Sequence, residues 1–273
     1  MIDFLGNFAP QPFIQTKAYL RFEEFAQSCA QYKYIGICHG NPGVGKTYTA
    51  NEYTQPQVLR YYSNRSAVSE MVKANMHLCK GAFLTVQVCN TPRTIRSIVH
   101  NKIFDYGNAT LRLQGIEDII TLALKSHESC PLLIVDEADR LSFNSLEELR
   151  AMYDEYKFSL ILMGMPGIEK RLSRYAQLYS RIGFVHEFKA ISKEEMKFLF
   201  EQKWQELGRQ FDKNIFVDVE AMNEIIKITH GNLRLINRVF DQMQRLMQIN
   251  NLTTLTKELV EAAKNCLVIG DFL

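Results

Sequence analysis

The sequence has little of what marks a specialised class of protein. Its charge is nearly balanced, with 32 Lys and Arg against 30 Asp and Glu and a formal net charge of +2, so composition alone does not announce a nucleic-acid binder. No apolar run approaches the ~18 residues that a membrane span needs, which excludes a helical anchor. Met1, Ile2 and Asp3 open the chain without a basic flank, so neither a secretory signal nor a transit peptide is evident, and the chain reads as complete and cytoplasmic. The six cysteines, Cys29, Cys38, Cys79, Cys89, Cys130 and Cys266, include no C-x-x-C pair. That excludes the usual zinc and redox spacings and leaves small buried hydrophobes in a reducing compartment. The six histidines contain no H-E-x-x-H helix, and no repeat or low-complexity segment is seen.

What is present is an ordinary globular balance, 47% hydrophobic and 23% charged over 273 residues, enough for one α/β core and a smaller satellite. Phe13, Tyr19, Leu20, Phe22, Phe25 and Ala26 predict a helix over 13–32. Short apolar runs predict strands at 34–38, 82–88, 132–135, 159–163 and 184–188, with a crossover helix over 116–124. Strands alternating with helices imply an α/β parallel sheet covered on both faces. After Lys189 the signals turn helical. Ser192 and Glu195 form a capping box, Asp218 is placed to cap a helix that stops near Gly231, and Leu233, Ile236, Phe240, Met243 and Met247 make the stripe of the next helix. A last helix follows from Thr256. The expected organisation is an N-terminal extension and helix at 1–31, an αβα nucleotide-binding core at 32–189 and an all-α lid at 190–273.

Gly40-Asn41-Pro42-Gly43-Val44-Gly45-Lys46-Thr47 matches G-x-x-x-x-G-K-[ST] in full. It follows a predicted strand and opens a predicted helix, as that motif requires. Glycines let the backbone curl so that N–H groups face phosphate oxygens, and the following helix adds its positive end. Lys46 reaches the β and γ phosphates, Thr47 offers a hydroxyl to magnesium, and Tyr48 completes the ATP-binding stretch. Leu132 to Val135 then runs into Asp136 and Glu137. Asp136 suits the Mg2+ shell and Glu137 suits a water aimed at the γ phosphate, which favours hydrolysis over transfer to a small acceptor. The cofactors implied are ATP and Mg2+.

These residues resemble the AAA+ P-loop ATPases and, within them, the transposition target-selection ATPases TniB, TnsC and MuB. The resemblance runs from Tyr32-Lys33-Tyr34-Ile35-Gly36 through Asp136-Glu137-Ala138-Asp139-Arg140-Leu141, Gly164-Met165-Pro166-Gly167 and Gln177 to Phe184 into the helical region. It implies an arginine supplied by a neighbouring subunit. Arg181 in Tyr179-Ser180-Arg181-Ile182 fits best, with Arg171 and Arg174 as competitors. Gly231-Asn232-Leu233-Arg234 resembles sensor 2, which gives Arg234 to the phosphates. The polar sensor 1 residue of the family has no counterpart, since Met165 follows Gly164. The resemblance further implies duplex DNA bound along its phosphates inside a ring or helical filament of this chain, with a transposase and a targeting adaptor as partners. Thr91, Arg93, Arg96, Lys102 and Arg112 are the DNA-facing candidates, because no separate DNA-binding domain precedes the P-loop. The function so implied is an ATP-dependent, largely sequence-independent DNA-binding regulator that activates a transposase and disassembles on hydrolysis. Loading of a helicase or replication factor, and STAND-like signalling, stand as alternatives.

Overall fold

A computed structural model describes residues 15–63, 74–207, 211–212 and 214–267. Helix α1 (Lys17–Tyr32) turns Tyr19, Phe22, Phe25, Ala26 and Cys29 inward, positions three and four apart that share one face; Phe13, at the start of the predicted helix, lies outside the described residues. Strand β1 (Ile35–His39) follows, then α2 (Lys46–Thr54) and α3 (Pro56–Ser63). Strand β2 (Ala82–Thr85) leads to a 22-residue helix, α4 (Pro92–Leu113), and to the short α5 (Ile119–Lys125). Next come β3 (Leu132–Asp136), α6 (Phe143–Tyr156), β4 (Ser159–Gly164), two short helices α7 (Ile168–Leu172) and α8 (Ala176–Tyr179), and β5 (Ile182–Glu187).

The five strands form one parallel sheet in the order β2-β3-β4-β1-β5. Every residue of β3 and β4 is buried, as strands with helices on both faces must be, and this explains why their sequences are apolar without alternation. β5 lies at an edge and alternates half-buried with exposed residues. In parallel sheets of this kind ligands gather at the carboxyl ends of the strands. Here that edge carries the loop after β1, Asp136 at the end of β3 and Gly164 at the end of β4.

The chain divides into two compact units. One holds Tyr19–Gly40 and Lys46–Phe188; the other holds Asn41–Gly45 and the residues from Lys189 onward, with the few residues ahead of Tyr19. The second unit is helical: α9 (Lys193–Glu206), α10 (Phe216–Thr229), α11 (Leu233–Asn250) and α12 (Lys257–Asn265). Ser192 accepts from the Glu195 N–H at 3.3 Å while Glu195 accepts from the Ser192 N–H at 3.0 Å, a complete capping box. Phe200, Trp204 and Phe240 meet with ring centroids 5.5 to 6.3 Å apart in this unit's core. Trp204→Ala there would cost about 3–5 kcal/mol.

Three sequence expectations shift. The second strand stops at Thr85 rather than Val88: the Val86 N–H still donates to the Asp136 carbonyl at 3.0 Å, after which the chain bends away. Asp218 is not a helix cap. Ile215 occupies the cap position without a side-chain bond, and Asp218 lies in the first turn, where its carboxylate accepts the Asp212 N–H at 3.0 Å. The stretch from 92, expected to face DNA and given no element of its own, is helix α4, started by the Thr91 hydroxyl accepting from the Thr94 N–H, with Pro92 in the first turn.

Candidate nucleotide site

The two motif segments converge at the carboxyl edge of the sheet. The Thr47 hydroxyl, at the start of α2, donates to Asp136 Oδ2 at 2.6 Å across 89 residues of sequence. Asp136 is only 3% exposed, and its other oxygen accepts the Glu137 N–H at 2.9 Å. Lys46 donates to the carbonyl of Gly40. Gly43 and Gly45 have φ of 81° and 111°, a region that side chains rarely enter. Gly40 is constrained by space instead: a Cβ there would stand 2.3 Å from the carbonyl oxygen of Phe188, whose N–H donates to the His39 carbonyl at 2.7 Å. Burial pushes the Cys38 thiol, just before the loop, far up.

Thr47 and Asp136 fit magnesium by donor chemistry. They are hard oxygen ligands side by side, and Mg2+ takes one or two such protein ligands when phosphates and waters supply the rest. Among the described residues no three His, Cys, Asp or Glu side chains gather into a cage that would hold a metal without a phosphate.

Glu137 adopts a left-handed conformation, φ 56°, which is uncommon for a residue with a side chain and turns it out of the strand line. Its carboxylate pairs with Arg140, whose guanidinium also donates to the Val86 carbonyl at 3.0 Å. Asn90 donates to the Arg140 carbonyl at 3.0 Å. The residues after β2 are therefore tied to the acid pair through Arg140. Sequence reading assigned this arginine no role, because a single basic residue after the acid pair carries no spacing signal.

The three arginine candidates divide sharply. Arg171 donates to the carbonyls of Asp139 and Leu141 and so braces the turn behind the acid pair. Arg181 makes a two-pronged pair with Asp154, Nε to Oδ1 and Nη2 to Oδ2, both at 2.8 Å, and donates to the Gln177 carbonyl. These bonds hold the Asp154 carboxyl below the usual carboxylate range. Arg174 is exposed, and among the described residues no ion pair engages it. After β4, where the resemblance led one to expect a sensor 1 residue, the Met165 N–H donates to Asp139 Oδ2 at 2.7 Å.

In the helical unit, Arg234 is exposed in the first turn of α11, and its backbone N–H donates to the Gly43 carbonyl at 3.1 Å. Asn41–Gly45 belong to this same unit. Tyr48 is exposed at the start of α2.

The DNA-facing candidates are not brought together. Thr91 spends its hydroxyl on the α4 cap. At about 100° per residue, Arg93 and Arg96 stand about 60° apart around α4, whereas Arg112 is about 100° and Lys102 about 180° from Arg93. Arg96 pairs with Glu148 and, at 3.0 Å, with Glu155. Arg112 donates to Asn108 Oδ1 at 2.8 Å. Arg93 is exposed, and Lys102 is half-buried near Asp105. Among the described residues no helix is long and apolar enough to cross a membrane.

A family profile described as an AAA domain matches residues 29–172. A potential ATP-binding protein of Staphylococcus aureus is 42% identical over 95% of this chain and 98% of its own length. The ATP-dependent target DNA activator B of Escherichia phage Mu is 22% identical over 84% of this chain, which spans just under two thirds, 65%, of that relative. Among solved structures, the RuvB Holliday junction branch migration motor of Thermotoga maritima superposes with a TM-score of 0.57 over 95% of this chain and 72% of its own. At 15% identity that likeness is one of fold.

Proposed function

The chain belongs to the AAA domain family, and on that premise we propose that it is an ATP-dependent DNA-binding regulator that assembles on target DNA and activates a transposase. The observation that carries the nucleotide half is the Thr47 to Asp136 contact, 2.6 Å between the loop and strand motifs. The transposition half is supported by the similarity to a relative described as an ATP-dependent target DNA activator.

In this reading Lys46 and the N–H groups of residues 41–47 hold the phosphates, and Thr47 and Asp136 hold magnesium. Magnesium, when bound, offsets the charge of the phosphate oxygens. Glu137 takes the proton of a water that attacks the γ phosphorus as the bond to the departing ADP oxygen breaks. Glu137 must first loosen its pair with Arg140 to do so. Arg181 is the arginine offered to a neighbour's phosphate, and it must exchange Asp154 for that phosphate on assembly. ATP then favours the assembled state because that state binds it better, and hydrolysis returns the subunits to the free state.

DNA contact in this reading is to the phosphate backbone, with Arg93, exposed in the first turn of α4, as the leading basic residue. Binding is therefore salt-sensitive and weakly sequence-dependent. The test is duplex DNA binding by the full chain at several salt concentrations with ATP, with ADP and without nucleotide. We expect the affinity to rise with ATP and fall steeply with salt. Equal affinity under all three nucleotide conditions would sink the regulator reading.

A further inference from the structure

Two carbonyls of the phosphate-binding loop are held by the start of one helix. Asn232 Nδ2 donates to the Pro42 carbonyl at 2.9 Å, and the Arg234 backbone N–H donates to the Gly43 carbonyl at 3.1 Å. All of these residues lie in the same compact unit. Asn232 is anchored from behind: its own N–H donates to the Thr229 carbonyl at 2.8 Å, and its Oδ1 accepts the Leu235 N–H at 3.1 Å as the cap of α11. His230 and Gly231, with φ of 47° and 78°, make the left-handed turn that delivers it. On the loop side, Gly43 lets it come close, since a Cβ there would lie 2.3 Å from Asn232 Oδ1.

The peptide bond is planar and trans, so a carbonyl and the next residue's N–H point to opposite sides. Fixing the Pro42 and Gly43 carbonyls on α11 therefore fixes the Gly43 and Val44 N–H groups facing the other way. Those N–H groups are among the ones that the loop motif presents to phosphate. We propose that Asn232 is a positioning residue of the nucleotide site, holding the peptide planes of residues 42–44 so that their donors are aimed before any phosphate arrives. Its amide suits the task because one side chain must donate to the loop while accepting from the helix. Aspartate keeps the acceptor and loses the donor, and serine keeps a cap but lacks the reach. The proposal rests on the reading of this loop as a nucleotide site.

The experiment uses the full chain and the variants Asn232→Asp and Asn232→Ser, both of which keep a good helix cap. Calorimetric titration with Mg-ADP and with Mg-ATP is paired with the melting midpoint of the nucleotide-free protein and with turnover. We expect both variants to bind ADP and ATP about tenfold more weakly, the scale of one lost hydrogen bond. The nucleotide-free midpoint stays near wild type, and KM rises more than kcat falls. Loss in both variants separates lost aim from the charge that aspartate alone introduces. Wild-type affinity in either variant, or a lowered midpoint with affinity unchanged, overturns the proposal and leaves Asn232 as a helix cap. A wild-type chain that binds neither nucleotide overturns the nucleotide reading itself, and the proposal with it.

Discussion

At the carboxyl edge of the sheet, Thr47 and Asp136 come from elements 89 residues apart and stand within one hydrogen bond of each other. Along α4, Lys102 and Arg112 face away from Arg93 and Arg96, and Arg96 is already bonded to Glu148 and Glu155. The first region is arranged in advance for one ligand. The second gains a common direction only if another surface, such as a neighbouring subunit, completes it. On the proposed function, the phosphate end of the nucleotide site is formed within one chain, while the DNA-binding face is completed by several chains.

The largest test of that contrast concerns Arg181, which one chain keeps on Asp154. If it acts across subunits, Arg181→Ala should lower DNA-stimulated turnover by roughly 10³ to 10⁵ while leaving nucleotide affinity near wild type. Mixing it with Glu137→Gln subunits should restore part of the activity. No restoration in mixed assemblies would put the arginine back in its own subunit. Asp154→Asn should act in the opposite direction, lowering the protein concentration at which turnover begins.

Next in size, Glu137→Gln should cut turnover by about 10² to 10⁴, the usual worth of a general base, and leave ATP-dependent DNA complexes that outlast those of wild type. Lys46→Ala should instead abolish measurable nucleotide affinity by calorimetry. If the two variants behaved alike, the division between holding phosphates and activating water would be wrong.

The smallest effect separates two neighbours on α4. Arg93→Ala should reduce the slope of DNA affinity against salt by about one phosphate contact, whereas Arg96→Ala should change it less, since Arg96 is occupied by two glutamates. Slopes unchanged from wild type in both variants would show that these α4 arginines do not meet DNA.

Much of the fold was legible because its signals are local. The loop motif, the acid pair at the end of an apolar strand and the Ser192 capping box each sit within a few residues, and short-range geometry gives them meaning. α4 went unread, although Thr91, Pro92 and the spacing of Ile95, Val99, Ile103 and Tyr106 carry a helix signal. Its arginines were read for DNA contact rather than for helix spacing. What sequence could not give is pairing across space. The Asp154 partner of Arg181, the Arg140 tie from Glu137 to Val86 and the hold of Asn232 on Pro42 join residues whose spacing along the chain follows no rule.

The crowding at Gly40 reaches beyond phosphate chemistry. The atom that an alanine would add there collides with the main chain of Phe188, at the residue that closes the sheet's last strand onto its first. Position 40 is thus under two independent demands, one of which has nothing to do with ligand. A library randomised at this codon and selected only for soluble expression, without nucleotide or DNA, should still return glycine.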